Sequence, residues 1–310
     1  MKDKKVLFMG TPLFATVVLD ALIRNTNVVG VVCQNDKIVG RKKILTKCPV
    51  KVMAEEHNIK VYQPINLKQE YKELLQDEPD IIITCAYGKI LNEELINYPK
   101  YKTINVHASL LPSLRGGAPI QRAIMNNFSQ TGITIMRTDK GMDTGDIIEE
   151  EAIDIDFKDT YESLSIKLSK LGADLLIKTL PSIFDNTCIY KKQDSNNATM
   201  APLIKAIDEK ISFDDTKINI YNKIRALYDT PIGYAILDGK KVKIAEAIIG
   251  DNRCCKNGEI IKIYKNGIGV ACLDGEIIIK KLQVEGKKMM DAASFLNGVN
   301  KDLLLGKRFM

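Results

Sequence analysis

KKVLFMG (4–10), FATVVLDALIRN (14–25) and VVGVVCQ (28–34) follow one another near the start of the chain. The first and third are continuous apolar runs of strand length, and the second carries apolar residues at helical spacing. A strand buried on both faces reads as a continuous apolar run, and two such strands joined by a helix run parallel. The pattern continues outward. PVKVMAEEHN (49–58) is a helix with Pro in its first turn, VYQP a short strand, and LKQEYKELLQDE a charged amphipathic helix. DIIITCAY (80–87) is another continuous apolar strand, NEELINYP a short helix, and TINVHAS (103–109) a further strand. TGITIMRTD and GDIIEEEAIDI read as strands, and TYESLSIKLSKLGADLLIKTLPSIF (160–184) as a long amphipathic helix. Thr160 is its N-cap, with Ser163 in place of the Glu of a complete capping box. These elements predict an α/β domain, doubly wound and Rossmann-like, over 1–192.

QDSNNATMAP (193–202) is polar and irregular, and 193–203 reads as a linker. Over 204–310 a helix, KINIYNKIRALYD (217–229), is followed by closely spaced strands. Asp238-Gly239, Asn257-Gly258, Asn266-Gly267 and Asp274-Gly275 are hairpin signals between them. The second domain is expected to be a mainly β, OB-like barrel.

A chain of 310 residues suits two domains, and 45% hydrophobic with 27% charged residues excludes a disordered or membrane class. No apolar run approaches a membrane span, and no secretory signal is visible. The seven cysteines are odd in number and form no CxxC, which predicts reduced thiols in a cytoplasmic protein and no metal centre. From Ala201 to Met310 there are 19 Lys+Arg against 14 Asp+Glu, and 1–200 hold the remaining 26 against 25. The basic excess therefore lies in the second half. A polyanionic partner and a solvated basic face explain it equally well.

In an open α/β sheet, ligands sit beyond the carboxyl ends of the strands. The ends here are Gly10-Thr11-Pro12, Cys85-Ala86-Tyr87-Gly88 and Asn105-Val106-His107. Asn105 and His107 are two apart on one strand and so share a face. Asp143 lies in the glycine-flanked loop Gly141-Met142-Asp143-Thr144-Gly145-Asp146. Amide, imidazole and carboxylate suit acyl transfer to an amine. The imidazole can relay the proton, the amide or a protonated imidazole can stabilise the oxyanion, and the carboxylate can orient the imidazole or order a water. No Ser or Cys stands in a nucleophile elbow, so attack without an acyl-enzyme is the simpler route. Read by spacing alone, Asn-x-His on a strand is more often structural than catalytic, Asp143 in a Gly-rich loop is more often a turn residue, and Gly116-Gly117 reads as closing a turn. One glycine stands in Gly10–Ala15 where GxGxxG needs three, and Pro12 removes an N–H. With no Walker A sequence either, dinucleotide and nucleoside-triphosphate sites are disfavoured.

INVHASLLPSLRGGAPIQRAI (104–124), GITIMRTDKGMDTGDII (132–148), FMGTPLFA (8–15) and CAYGKIL (85–91) resemble the signature segments of the folate-dependent formyltransferases, in the branch acting on methionyl-tRNA. The resemblance covers nearly the whole chain. It implies metal-free, sequential transfer from 10-formyltetrahydrofolate to the amino group of initiator methionyl-tRNA, catalysed by Asn105, His107 and Asp143. Ser109, Leu110, Leu111 and Pro112 would line the folate site, with a cis peptide before Pro112. Ala86, Tyr87, Gly88 and Ile90 would meet the pterin. The loop NDKIVGRKKILTKCPVK (35–51) resembles the segment that engages the acceptor end of tRNA, through Arg41 with Lys42 and Lys43; Lys37, Lys47 and Lys51 add charge.

The C-terminal domain resembles the family's tRNA-binding OB-type barrel. Lys240, Lys243, Lys281 and Lys287, with Lys241, Lys280 and Lys288, are candidate phosphate contacts. A monomer is expected. The alternative acceptor is an amino sugar nucleotide. Glycinamide ribonucleotide enzymes of the family would match only the first domain. This chain departs from the pattern at Asn92, where Pro is usual, and at Lys42, where Gly usually follows the arginine. It also lacks any Trp, one being usual near Phe213.

Overall fold

The computed structural model describes residues 1–40, 43–228, 231–252 and 255–310. They form two compact units. One comprises Met1–Pro119, Gln130–Asp154 and Ser165–Pro202, the other Ile120–Ser129, Ile155–Leu164 and Leu203–Met310.

The strands of the first unit are β1 (Lys5–Gly10), β2 (Asn27–Val32), β3 (Lys37–Val39), β4 (Ile44–Thr46), β5 (Val61–Tyr62), β6 (Ile81–Cys85), β7 (Thr103–His107), β8 (Gln130–Arg137) and β9 (Ile147–Asp154). Among the described residues, seven of them form one sheet in the order β5-β2-β1-β6-β7-β8-β9. Pairing is parallel from β5 to β7 and antiparallel for β8 and β9. Sequence pattern separates the centre of the sheet from its edge. β6 is buried at every residue, as a central parallel strand must be. On β9, Glu149, Glu150 and Glu151 interrupt the apolar residues, which suits an edge with a solvated face. The helix Leu13–Asn25 covers the sheet with Ala15, Val18, Leu19 and Leu22 buried, the i, i+3, i+4, i+7 stripe of its sequence. β3 and β4 pair with each other as a separate hairpin.

Two local readings are corrected. LKQEYKELLQDE is no continuous helix: Leu67–Glu70 is α-helical and Glu73–Leu75 is a 3₁₀ turn. The bonds tighten after Tyr71, with Leu74 N–H donating to Tyr71 O at 3.1 Å. Leu67 and Leu74 are both buried as a result. At the long helix Tyr161–Phe184 the cap is reciprocal after all. Ser163 N–H donates to Thr160 Oγ1 (3.2 Å) and Thr160 N–H to Ser163 Oγ (3.0 Å). Ser163 therefore takes the part the missing Glu would have played.

The segment read as a linker is ordered within the first unit. Arg115 N–H donates to Thr199 O (2.9 Å), and Ala201 N–H returns to Arg115 O (2.7 Å).

The second unit carries β10 (Tyr234–Leu237), β11 (Lys240–Gly250), β12 (Ile260–Tyr264), β13 (Gly267–Cys272), β14 (Gly275–Val284) and β15 (Met290–Asp291). They pair antiparallel in the order β10-β11-β14-β13-β12, with β15 on β14. Phe213, Ile220, Val242, Ile244, Val270 and Ile277 are among its core. Register shifts around Glu246 on β11 bend the sheet, as barrel-forming strands require.

Asp238 (φ 50°) and Gly239 (φ 73°) form the expected two-residue turn between β10 and β11. Asn257-Gly258 makes no hairpin: Gly258 instead exchanges backbone bonds with Ala271 and Phe309. Gly267 and Gly275 lie within strands, and the turns precede them. A Cβ on Gly267 would stand 2.6 Å from Ile278 Cγ2, so close packing, not turn geometry, selects glycine there.

Candidate active site

β7 lies between β6 and β8, with Asn105 beside Thr84 and Met136, and His107 beside Thr134. Thr84 is the polar residue of an otherwise apolar run, and its hydroxyl donates to Asn105 Oδ1 at 2.8 Å. That bond fixes the amide, so Nδ2 points outward to Asp143 Oδ1 at 3.4 Å. His107 is 5% exposed. Its Nε2 stands 3.1 Å from Leu114 O. A carbonyl oxygen only accepts, so Nε2 carries the proton in the neutral ring and Nδ1 holds the lone pair. Nδ1 is 3.7 Å from Asp143 Oδ2. That is an ion-pair distance once the ring is protonated, and longer than a hydrogen bond.

Asp143 is held from three sides. Gly116 N–H donates to its Oδ2 at 2.8 Å. Gln193 Nε2 donates to Asp143 O (2.9 Å) and Gly145 O (2.7 Å), while Gln193 Oε1 accepts from Arg115 Nε (3.0 Å) and Nη2 (2.7 Å). The backbone at Asp143 is left-handed, φ 54°, a conformation Asp tolerates better than most residues. Gly116 does more than close a turn. At φ 126° a Cβ would stand 2.6 Å from Ala201 O, and its amide serves the carboxylate.

Asn105, His107 and Asp143 therefore converge as expected from sequence. Thr84, Leu114 O, Gly116 N, Arg115 and Gln193 complete the arrangement. Gln193 had no sequence signal, because it sits in the polar stretch read as a linker. Gln193→Leu would leave the Arg115 guanidinium, itself 6% exposed, without this acceptor. A loss of about 1–3 kcal/mol in urea unfolding is expected, together with a lower kcat as the Asp143 loop loses its tether.

On the folate-side segments, Leu111-Pro112 is cis. Ser109 is fully buried and its hydroxyl donates to Ser113 O at 2.6 Å, so it shapes this segment from within and presents no surface of its own. Leu110 is half-buried and Leu111 buried. After β6 the chain turns through Ala86 (φ 48°) and Gly88 (φ 78°). Ala86, Gly88 and Ile90 are exposed. Tyr87 points inward into a cluster with Leu7, Met9 and Ile82, where burial pushes its hydroxyl up to about 12. A cavity of about 300 Å³ opens on the flank of the Asp143 loop, lined by Glu93, Ile96 and Asn97 on one side and Arg137–Lys140, Gly145 and Asp146 on the other.

Of the basic residues, Arg41 and Lys42 lie outside the described residues. Lys43 is exposed beside the β3–β4 hairpin, so the loop read in sequence contains paired strands. In the second unit Lys243 faces Gln283 across β11 and β14, and Lys281 faces Glu246. Lys240, at the β10 turn, and Lys287, beyond β14, are both exposed. Lys281 Nζ is 3.1 Å from Glu246 Oε1, an exposed pair that offsets part of its charge. No described helix is long and apolar enough to cross a membrane.

The family models and the full-length relatives agree on one family. The formyl transferase model matches residues 4–180, and the model of the formyl transferase C-terminal domain matches 203–300. Methionyl-tRNA formyltransferases of Staphylococcus aureus, strains bovine RF122 and JH1 among them, are 44% identical over 310 residues, 99% of each chain. In fold, the chain is similar to an N-formyltransferase from Helicobacter canadensis in complex with folinic acid and dTDP-3-aminofucose. There the TM-score is 0.66 at 24% identity, covering 89% of this chain and 98% of that one. HypX from Aquifex aeolicus in complex with tetrahydrofolic acid also has a TM-score of 0.66, at 15% identity over 94% of this chain and 46% of that one. By both family models and by its full-length relatives, the chain belongs to the formyl transferase family, in its methionyl-tRNA formyltransferase branch.

Proposed function

We propose that this enzyme moves the formyl group from N10 of 10-formyltetrahydrofolate to the α-amino group of methionine on initiator tRNA, with Asn105, His107 and Asp143 as its catalytic residues. The observation that carries the reading is the convergence of these side chains at the end of β7, in a chain 44% identical over 310 residues to methionyl-tRNA formyltransferases.

The amine nitrogen attacks the formyl carbon, and a C–N bond forms as the carbonyl oxygen becomes an oxyanion. Asn105 Nδ2, oriented by Thr84, donates to that oxygen. The amine proton passes to His107 Nδ1, the ring nitrogen that carries the lone pair. Asp143 Oδ2 then faces an imidazolium and stabilises it. Collapse returns the proton to N10 as the C–N10 bond breaks, so tetrahydrofolate leaves neutral at that nitrogen. The folate lies against the turn Ala86–Ile90 and the half-buried Leu110 and Pro112, with Ser109 and Leu111 behind them. The exposure of Ala86, Gly88 and Ile90 supports this placement.

Acceptor tRNA meets the loop 35–51 and the lysines of β11 and β14. Lys240→Ala with Lys287→Ala should raise KM for methionyl-tRNA several-fold and leave the folate KM unchanged. The slope of log KM against log salt should fall by roughly 1–2. We take the enzyme to act in the cytoplasm without a metal, a reading that rests on its scattered cysteines and the absence of any CxxC.

The deciding experiment supplies purified protein with 10-formyltetrahydrofolate and methionine-charged initiator tRNA, beside a uridine-diphosphate amino sugar. Formyl on the charged tRNA alone is expected. Formyl on the sugar alone would replace this acceptor assignment.

A further inference from the structure

The base of the β3–β4 hairpin holds a polar cluster that the transfer chemistry does not use. Asp36 directly precedes β3, and Lys51 stands in the first turn of the helix Pro49–Glu56 that follows β4. The two side chains pair at 2.7 Å with only 17% and 15% exposure. Gln63, just after β5, bonds to both. Its Oε1 accepts from Lys51 Nζ (2.7 Å), and its Nε2 donates to Asp36 Oδ1 (2.8 Å) and to Gln34 O (2.9 Å). Asn35 Nδ2 donates in turn to Gln63 O at 2.9 Å. The pair polarises itself: Lys51 and then Gln63 hold the Asp36 carboxyl below its ordinary value, and Asp36 raises Lys51.

The same strand end is tied to the folate-side turn. Gln34 Nε2 donates to Tyr87 O at 2.9 Å. Gly88, left-handed at φ 78°, keeps that approach open, since a Cβ there would stand 2.9 Å from Gln34 Nε2. The hairpin beyond the clasp has little to hold it. Ile38, Ile44 and Leu45 are 59–67% exposed, and an isolated two-stranded ribbon is marginal in water. Its direction is therefore set at its base.

We infer that Asp36, Lys51 and Gln63 are positioning residues, a clasp that fixes the β3–β4 hairpin relative to the Tyr87 turn so that the acceptor end of tRNA is delivered to the formyl donor. This rests on the reading of the hairpin as a tRNA contact. It also reassigns Lys51, which the sequence counted only as added charge in the 35–51 loop. A lysine bound to Asp36 and Gln63 orders the loop rather than adding to its free charge.

The sign of one substitution separates the two roles. Asp36→Asn keeps the shape and removes a negative charge. If Lys51 served as a phosphate contact, this change would release it and lower the KM for a polyanion. If the clasp positions the hairpin, KM for methionyl-tRNA rises. A hairpin correctly placed about a tenth of the time gives about a tenfold rise. Gln63→Leu, which alters no charge, should do the same with the salt slope unchanged. Lys51→Met should resemble it, and Lys51→Arg should restore much of the loss. In all of these the folate KM and the kcat at saturating tRNA should stay within about twofold of the parent.

Lys37→Ala with Lys43→Ala tests the underlying reading. If that pair leaves the tRNA KM unchanged, the hairpin is no tRNA contact and the clasp inference falls with it. If that pair raises the KM but Asp36→Asn lowers it or leaves it unchanged, the clasp alone is overturned. Equal losses in folate KM and kcat would show a general structural role and overturn it too. Should Gln63→Leu fail to fold, the isosteric Asp36→Asn carries the result.

Discussion

His107→Ala is expected to reduce kcat by about 10²–10⁴, the usual range for loss of a positioned acid–base group, with KM for both substrates changed little. The argument lies in the strand. His107 is 5% exposed, and the Leu114 carbonyl holds its Nε2 proton at 3.1 Å. Truncation therefore removes the proton acceptor without altering surface that binds tRNA. Asn105→Ala should cost about 10²–10³ in kcat, because Nδ2 is the donor that Thr84 aims away from the sheet. The two effects should not add fully, since both groups act on one intermediate. Single-turnover measurement with saturating folate reads the chemical step directly. If His107→Ala kept near-parental turnover, the proton relay would have to be assigned elsewhere. His57, exposed and at the end of the helix Pro49–Glu56, is the other histidine in the chain.

The difference between what was legible and what was not follows the range of the interactions. β1 and β6 were readable because burial on both faces leaves a continuous apolar run in the sequence itself. Asn105 and His107 were readable as a pair because side chains alternate along a strand with period two. The antiparallel course of β8 and β9 was less so, although Glu149–Glu151 mark an edge. Gln193 was out of reach. Its bonds go to Asp143 O and Gly145 O, about 50 residues away, and nothing in QDSNNATMAP marks such a partner. Gly267 and Gly275 were misplaced by one position for a related reason. Asn-Gly and Asp-Gly are turn signals read locally, but these glycines answer to a neighbouring strand's side chain and to Lys217. The hairpin over 37–46 was read only as a charged loop. Its alternation of Ile38, Ile44 and Leu45 with lysines is short, and its strands find no sheet beyond each other.

Asp143→Asn should separate the two parts that Asp143 plays. Its backbone is left-handed at φ 54°, a region Asn occupies as readily as Asp. The amide oxygen can accept from Gly116 N–H as the carboxylate does at 2.8 Å. The bonds from Gln193 reach only the backbone of this loop, so they survive the change. The one bond lost is the long contact from Asn105 Nδ2 to Oδ1 at 3.4 Å, where the new amide would present a donor. The loop should keep its form, and the thermal midpoint should move by no more than about 2–4 °C. What disappears is the negative charge 3.7 Å from His107 Nδ1, the nitrogen that gains a proton as the amine attacks. An imidazolium without its counter-charge is costlier to form in so enclosed a place, and kcat should fall by about 10²-fold. That corresponds to about 2.7 kcal/mol of lost transition-state stabilisation. Comparing kcat with the unfolding midpoint for the same preparation makes the result decisive. A large fall in kcat at an unchanged midpoint assigns Asp143 to the charge of the transition state. An unchanged kcat would mean that the carboxylate serves only to fold the loop over the strand ends, a task the amide performs equally well.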